Sequence, residues 1–221
     1  TATAFDAALA SGTVSVSMSV LKAQTDLDGS IDNAIVAHEW GHYLTNRLVG
    51  NGSGLTTKQS NALGEGWGDF ISMLLMVRAE DASHPNGADW SGAYAMGPYA
   101  TRVFTGKSAS YFGIRRVPYS TDRAKNALTF KHVDDSQPLP TSAPMQFNPG
   151  ENSQVHNAGE VWATALWEVY VSLLRVHPFE EAQTRMRNYL VAGLKLTPMA
   201  PTFTEARDAL LRAPWPGNVR E

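Results

Sequence analysis

Apolar residues recur along this chain with two different periods. Over Thr13-Val14-Ser15-Val16-Ser17-Met18-Ser19-Val20 they alternate with polar residues, which predicts a β-strand with one buried face. From Asn33 to Leu48 the spacing turns helical. Asp32 or Ser30 can cap that helix, and Gly50, Asn51, Gly52 and Gly54 stop it. Ile31, Ile35, Tyr43 and Leu48 are expected to supply much of its buried surface. A second helix is predicted over 63–78. Its segment Phe70-Ile71-Ser72-Met73-Leu74-Leu75-Met76-Val77 is apolar nearly all round, as in a central core helix, with Met73 and Met76 as packing residues. Three more helices are predicted, over 158–175, 179–194 and 203–212. The stretch 79–150 is loop-rich, with turn chemistry at His84-Pro85-Asn86-Gly87 and at Asp134-Asp135-Ser136-Gln137-Pro138-Leu139-Pro140. The predicted class is α+β, mainly α: a short N-terminal β segment over 1–31 and a helical lobe over 32–221.

Composition narrows the class of partner. A chain of 221 residues can bury a real core. Only 18% of residues are charged and the net charge is −3, so no nucleic-acid surface is suggested. No apolar run approaches the length that crosses a bilayer. There is no cleavable signal pattern, and a start at Thr1 is what a mature or trimmed product would have. Cysteine is absent, which rules out disulfides and thiolate metal sites.

The chemistry is concentrated in His38-Glu39-Trp40-Gly41-His42. Two histidines four apart lie one turn above each other on a helix face, so both imidazoles can reach one metal ion. The glutamate between them points beside that ion, where water would sit. This is the HExxH arrangement of zinc peptidases, with the glutamate as general base. Glu65 follows His42 by twenty-three residues and supplies the third ligand of a His₂Glu set, which leaves a fourth position open. Asp69, one turn beyond Glu65, can accept the other ring N–H of His38 and fix its tautomer. The plain alternative for Asp69 is a solvated or capping acid.

A third cluster lies at Glu151-Asn152-Ser153-Gln154-Val155-His156-Asn157-Ala158-Gly159-Glu160-Val161-Trp162. His156 would sit just before a long helix, where by spacing alone a surface or capping role is the simpler one. Glu160 reads as a structural acid near a helix N-terminus.

These blocks, in this order, resemble the thermolysin-like gluzincins, and within them the fungalysin family of secreted zinc metalloendopeptidases. The blocks that carry the likeness are Asp32 to His42, Asn46-Arg47-Leu48, Gly64-Glu65-Gly66-Trp67-Gly68-Asp69-Phe70, Gly113 to Asp122, Gly159-Glu160-Val161-Trp162-Ala163 and Pro201 to Ala209. The resemblance implies one catalytic Zn²⁺ on His38, His42 and Glu65, with Glu39 as base and Asp69 behind His38. It implies His156 as the oxyanion donor, with Glu151 as the group that orients it. Arg115, or its neighbour Arg116, would contact the substrate carbonyl. It also implies a thermolysin-like helical catalytic lobe, protein or peptide substrates, an inhibitory propeptide as partner and an extracellular location. Residues 1–31 would be a remnant of an N-terminal β lobe.

Some family features are absent from the pattern. The spacing of thermolysin's paired calcium site is not there: Ala34 and Met76 stand at its positions, and Asp26, Asp28, Asp134 and Asp135, which could bind Ca²⁺, read more simply as turn residues and solvated acids. A metzincin is excluded, because Thr45 and Leu48 stand where that pattern needs Gly and His. Two rival functions share the ligand set. One is a zinc aminopeptidase, which would also need a group to capture the free N-terminus. The other is a zinc-stabilised binding domain, which would have no use for Glu39.

Overall fold

The computed structural model describes residues 27–84, 87–105, 109–139 and 151–213. Five helices dominate: α1 (Asn33–Leu48), α2 (Lys58–Met76), α3 (Val155–Leu174), α4 (Phe179–Leu196) and α5 (Phe203–Arg212). Single helical turns at Arg102–Thr105 and Ala109–Phe112 interrupt the loop region between α2 and α3. Among the described residues β pairing is limited to two isolated bridges, Tyr94 with Tyr119 and Met96 with Gly113. The strand expected over 13–20 lies outside the described residues, as do Asp26 and most of the proposed N-terminal segment.

Helix α2 is central and packs against both α1 and α3. Its Leu63, Trp67, Phe70, Ile71 and Leu74 are buried, as are Trp162, Trp167 and Tyr170 from α3. Each large apolar side chain removed from water in this way contributes about 1.5–3 kcal/mol. Met73 packs as expected, whereas Met76 and Leu75 are exposed at the helix end. Helices α4 and α5 pack together, and α4 also meets α3.

The helix ends follow capping chemistry. Asp32 caps α1 by accepting the Ala34 N–H, and its second oxygen accepts from Tyr99 and Ala100, tying the loop region to this end. Helix α2 starts five residues earlier than expected because Thr57 and Ser60 form a reciprocal cap. Helix α3 starts three residues earlier, capped by Gln154, so His156 lies within its first turn rather than before it.

The buried face of α1 is also corrected. Ile31 and Tyr43 are 63% and 59% exposed, and the buried positions are Ala34, His38, Gly41 and Thr45. Gly41 stands in this seam because α1 and α2 approach too closely there for a larger residue.

Candidate metal centre

His38 and His42 project from successive turns of α1, their rings 4.6 Å apart and nearly perpendicular. Helix α2 presents Glu65 to both. Its Oε2 lies 3.3 Å from His38 Nε2 and its Oε1 3.5 Å from His42 Nε2. One ligand atom from each of the three residues falls within 4.8 Å of the others, and no other such group of acidic and histidine side chains occurs among the described residues.

Two pairs of glycines make this convergence possible. A Cβ on Gly41 would stand 2.8 Å from the Gly68 Cα, and one on Gly68 would stand 2.8 Å from the His38 ring. On the other side of α2, a Cβ on Gly66 would stand 2.5 Å from the Gly159 carbonyl oxygen, and one on Gly159 would stand 2.8 Å from Glu65 Cβ. The first pair brings α1 onto α2. The second brings the start of α3, with His156, onto Glu65. Both pairs lie in the blocks read from the sequence, but only the three-dimensional contact reveals what they do.

Asp69 is the buried hub behind the ligands. Its Oδ1 lies 2.7 Å from His38 Nδ1. Arg115 donates to the same carboxylate through Nε at 2.6 Å and Nη2 at 2.7 Å, and the Tyr119 hydroxyl donates a further short hydrogen bond. Burial opposes the Asp69 charge, but Arg115 and His38 hold its pKa well below the usual carboxylate range. Burial also opposes charge on His38, yet the hydrogen bond to Asp69 and the nearby Glu65 carboxylate outweigh it and raise its pKa to about 9. Glu65 is likewise held low by the three histidines around it, against the effect of burial. Arg115 is therefore buried on Asp69. Tyr119 lies in one of the blocks read from the sequence, where no spacing marks its contact with Asp69.

His156 joins the site, with Nε2 3.4 Å from Glu65 Oε2. Burial lowers its pKa, with Glu65 acting in the opposite direction. The residue at its other nitrogen is not Glu151. The Glu151 carboxylate is exposed and faces Lys58 and Ser153. Gln154 takes the position instead, with Nε2 2.8 Å from His156 Nδ1. The Glu151 carboxylate is turned to solvent, whereas Gln154 is held at the ring by capping α3. Glu39 is exposed on α1, on the face that also carries the exposed Val36, Trp40 and Tyr43.

Glu160 is buried and structural. Arg116 meets it through its backbone N–H at 2.9 Å and its Nε at 2.8 Å. The same guanidinium reaches Asn152 and the Asn157 carbonyl, clamping the entry to α3. Arg116 thus braces the element that carries His156, and Arg115 braces His38. His132 is satisfied within its own turn by Thr129, and His177 pairs with Glu181. The other candidate acids serve structure: Asp28 accepts from Ser30 and Asp134 from Ser136 within turns, and Asp135 accepts from Ser153 across to the entry of α3.

The residues fit a metal ion on chemical grounds. Glu65 Oε2 is buried and makes no hydrogen bond, the His38 and His156 Nε2 atoms standing off at 3.3 and 3.4 Å, which is costly for a carboxylate unless a cation compensates it. Asp69 occupies His38 Nδ1, which leaves Nε2 facing Glu65 as the coordinating nitrogen. A His₂Glu set of this kind suits zinc. A separate cavity of ~460 Å³, lined by Leu128, Phe130, Val161, Trp162 and Phe203, contains none of these ligands. Among the described residues no helix is long and apolar enough to cross a membrane.

Comparison with known proteins finds extracellular metalloproteinases among the relatives of this chain. An extracellular metalloproteinase 9 of Uncinocarpus reesii is 32% identical over 208 residues, which cover 87% of this chain and 28% of that protein. An extracellular metalloproteinase 2 of Trichophyton tonsurans is 30% identical over 86% of this chain and 28% of its own length. The extracellular metalloproteinase mep of Aspergillus terreus is 30% identical over 84% of this chain and 27% of its own length. The chain thus spans little more than a quarter of these relatives. The model of the family described as Fungalysin metallopeptidase matches residues 9–216, and with that match over nearly its whole length the chain belongs to the fungalysin metallopeptidase family.

Proposed function

We propose that this chain carries the catalytic centre of a secreted zinc endopeptidase that hydrolyses internal peptide bonds in proteins. The observation that carries the proposal is the convergence of His38, His42 and the donor-less Glu65 oxygen beside an exposed Glu39. Bound there, zinc would act as a Lewis acid toward the scissile carbonyl and the attacking water. Glu39 would accept the water proton and pass it to the leaving amine. His156 Nε2 would donate to the oxygen that gains negative charge. Asp69 holds His38 in the coordinating tautomer, and the buried guanidinium of Arg115 supports a role in fixing Asp69 rather than in touching substrate. The exposed Val36, Trp40 and Tyr43 beside Glu39 would give apolar substrate side chains a surface. The relatives' description as extracellular supports a secreted protein.

The test is cleavage of an internally quenched peptide blocked at both ends, followed by a chelator and then by zinc. Internal cleavage that stops with chelator and returns with zinc is the expected result. Removal of residues only from peptides with a free N-terminus would identify an aminopeptidase instead. A folded, zinc-loaded chain that cleaves neither kind of peptide would leave a binding domain.

A further inference from the structure

His156 faces the metal centre with Nε2, 3.4 Å from Glu65 Oε2, and meets Gln154 with Nδ1. The glutamine amide has only one workable orientation. Its Oε1 accepts the backbone N–H groups of His156 at 2.8 Å and Asn157 at 3.1 Å, and those groups can only donate. The NH₂ end is therefore the end that lies 2.8 Å from His156 Nδ1, and it too can only donate. Nδ1 must then be the bare, accepting nitrogen, and the ring proton must sit on Nε2. A carboxylate in the same place would accept instead and would draw the proton to Nδ1.

We infer that Gln154 is a positioning residue: while capping α3 it fixes His156 as the Nε2–H tautomer, a neutral donor directed into the metal centre. The inference rests on the proposed role of His156, but it concerns the location of a proton that can be measured without turnover. Capping and tautomer selection come from opposite ends of one amide, so the rotamer that starts the helix also sets the direction of the hydrogen bond.

The experiment is a long-range ¹H–¹⁵N correlation spectrum of histidine-labelled protein at high pH, with the His156 signals assigned by their loss in His156→Gln. The comparison variant is Gln154→Glu. Its carboxylate can still accept both N–H groups and suits a helix N-terminus, so the cap is retained while the donor becomes an acceptor. The expected result is a proton on Nε2 in the parent and on Nδ1 in the variant. With Nε2 left as an acceptor on the neutral ring, kcat toward the blocked peptide at that same high pH should fall about 100-fold, as on loss of one oxyanion donor, with KM little changed. A parent ring protonated on Nδ1, or a variant with the parent's tautomer, overturns the inference. The parent spectrum alone still decides it if the variant does not fold. A chain without peptidase activity would sink the functional proposal and leave the tautomer result standing.

Discussion

Gly41 and Gly68 face each other across the α1–α2 interface so closely that a Cβ on Gly41 would lie 2.8 Å from the Gly68 Cα. This contact sets the distance between the helix that carries His38 and His42 and the helix that carries Glu65. The ligand set is thus a product of backbone packing, and the residues that decide it have no side chain.

Gly68→Ala should therefore damage the metal centre although it adds one methyl group in mid-helix. Helix propensity alone favours Ala over Gly by about 1 kcal/mol. Against this, the new Cβ would stand 2.8 Å from His38 Nδ1, and the ring cannot retreat without stretching its bond to Asp69. Overpacking of this kind costs about 1–3 kcal/mol, so the net effect should be destabilising. Zinc affinity should fall by about 10-fold or more, as for a lost outer partner. Denaturant unfolding and a competitive zinc titration measure the two effects. A variant more stable than the parent with unchanged zinc affinity would contradict this packing account.

Asp69→Asn should weaken zinc binding and also destabilise the chelated protein. The carboxylate orients His38 and neutralises the buried Arg115 guanidinium. Its loss should cost about 10–100-fold in metal affinity. Leaving Arg115 buried without its counter-charge should cost about 3–5 kcal/mol. Adding Arg115→Met to Asp69→Asn should recover part of the stability but not the metal affinity. Recovery of both together would mean that Asp69 acts only through packing.

Glu39 and Glu65 should separate cleanly by substitution. Glu39 is exposed, whereas Glu65 is largely buried between three histidines. Glu39→Gln should hold one zinc and lose about 10²–10⁴ in turnover, the range for a general base. Glu65→Ala should lose the zinc itself. Zinc content by elemental analysis, set beside peptide cleavage, tests both. Normal cleavage by Glu39→Gln would remove it as the base.

The shared faces of the candidate site are legible in the sequence because helical spacing converts directly into them. His38 with His42, and Glu65 with Asp69, are such pairs, and the α1 and α5 boundaries follow from their periodic runs. The errors arose where spacing carries no information. The first turn of α2, Lys58-Gln59-Ser60, is polar and has no apolar period, so only its cap marks it. The start of α3 was missed because Gln is not among the usual capping residues. The resemblance puts Glu151 behind His156 by its offset along the chain, whereas Gln154 reaches the ring across a single turn. Tyr119 reaches Asp69 from a separate loop, a contact that no local pattern encodes. Along α1 and the turn before it an apolar side chain is a poor guide to the core, since Ile31 and Tyr43 are both exposed. There, close helix packing buries Gly41 and leaves Tyr43 outside.

Zinc binding should release protons, and pH should act in opposite directions on the chelated and loaded forms. In the metal-free protein the Asp69 and Glu65 carboxylates overcome the burial of His38 and raise its pKa from 6.5 to about 9. A group whose folded pKa is raised stabilises the fold fully below its unfolded pKa and loses that contribution as pH rises through the folded value. The chelated protein should therefore lose stability between about pH 6.5 and 9. Zinc requires the neutral, unprotonated Nε2, so its affinity should climb over the same interval as protons compete less. At pH 7.5 the His38 proton must leave when zinc enters. Calorimetry in two buffers of different ionisation enthalpy should then show a net release approaching one proton per zinc from this residue. Asp69, already ionised at that pH, contributes none. Proton-neutral binding at pH 7.5, together with a chelated form whose stability is flat from pH 6.5 to 9, would mean that His38 is neutral before zinc arrives and that Asp69 accepts an ordinary hydrogen bond from it.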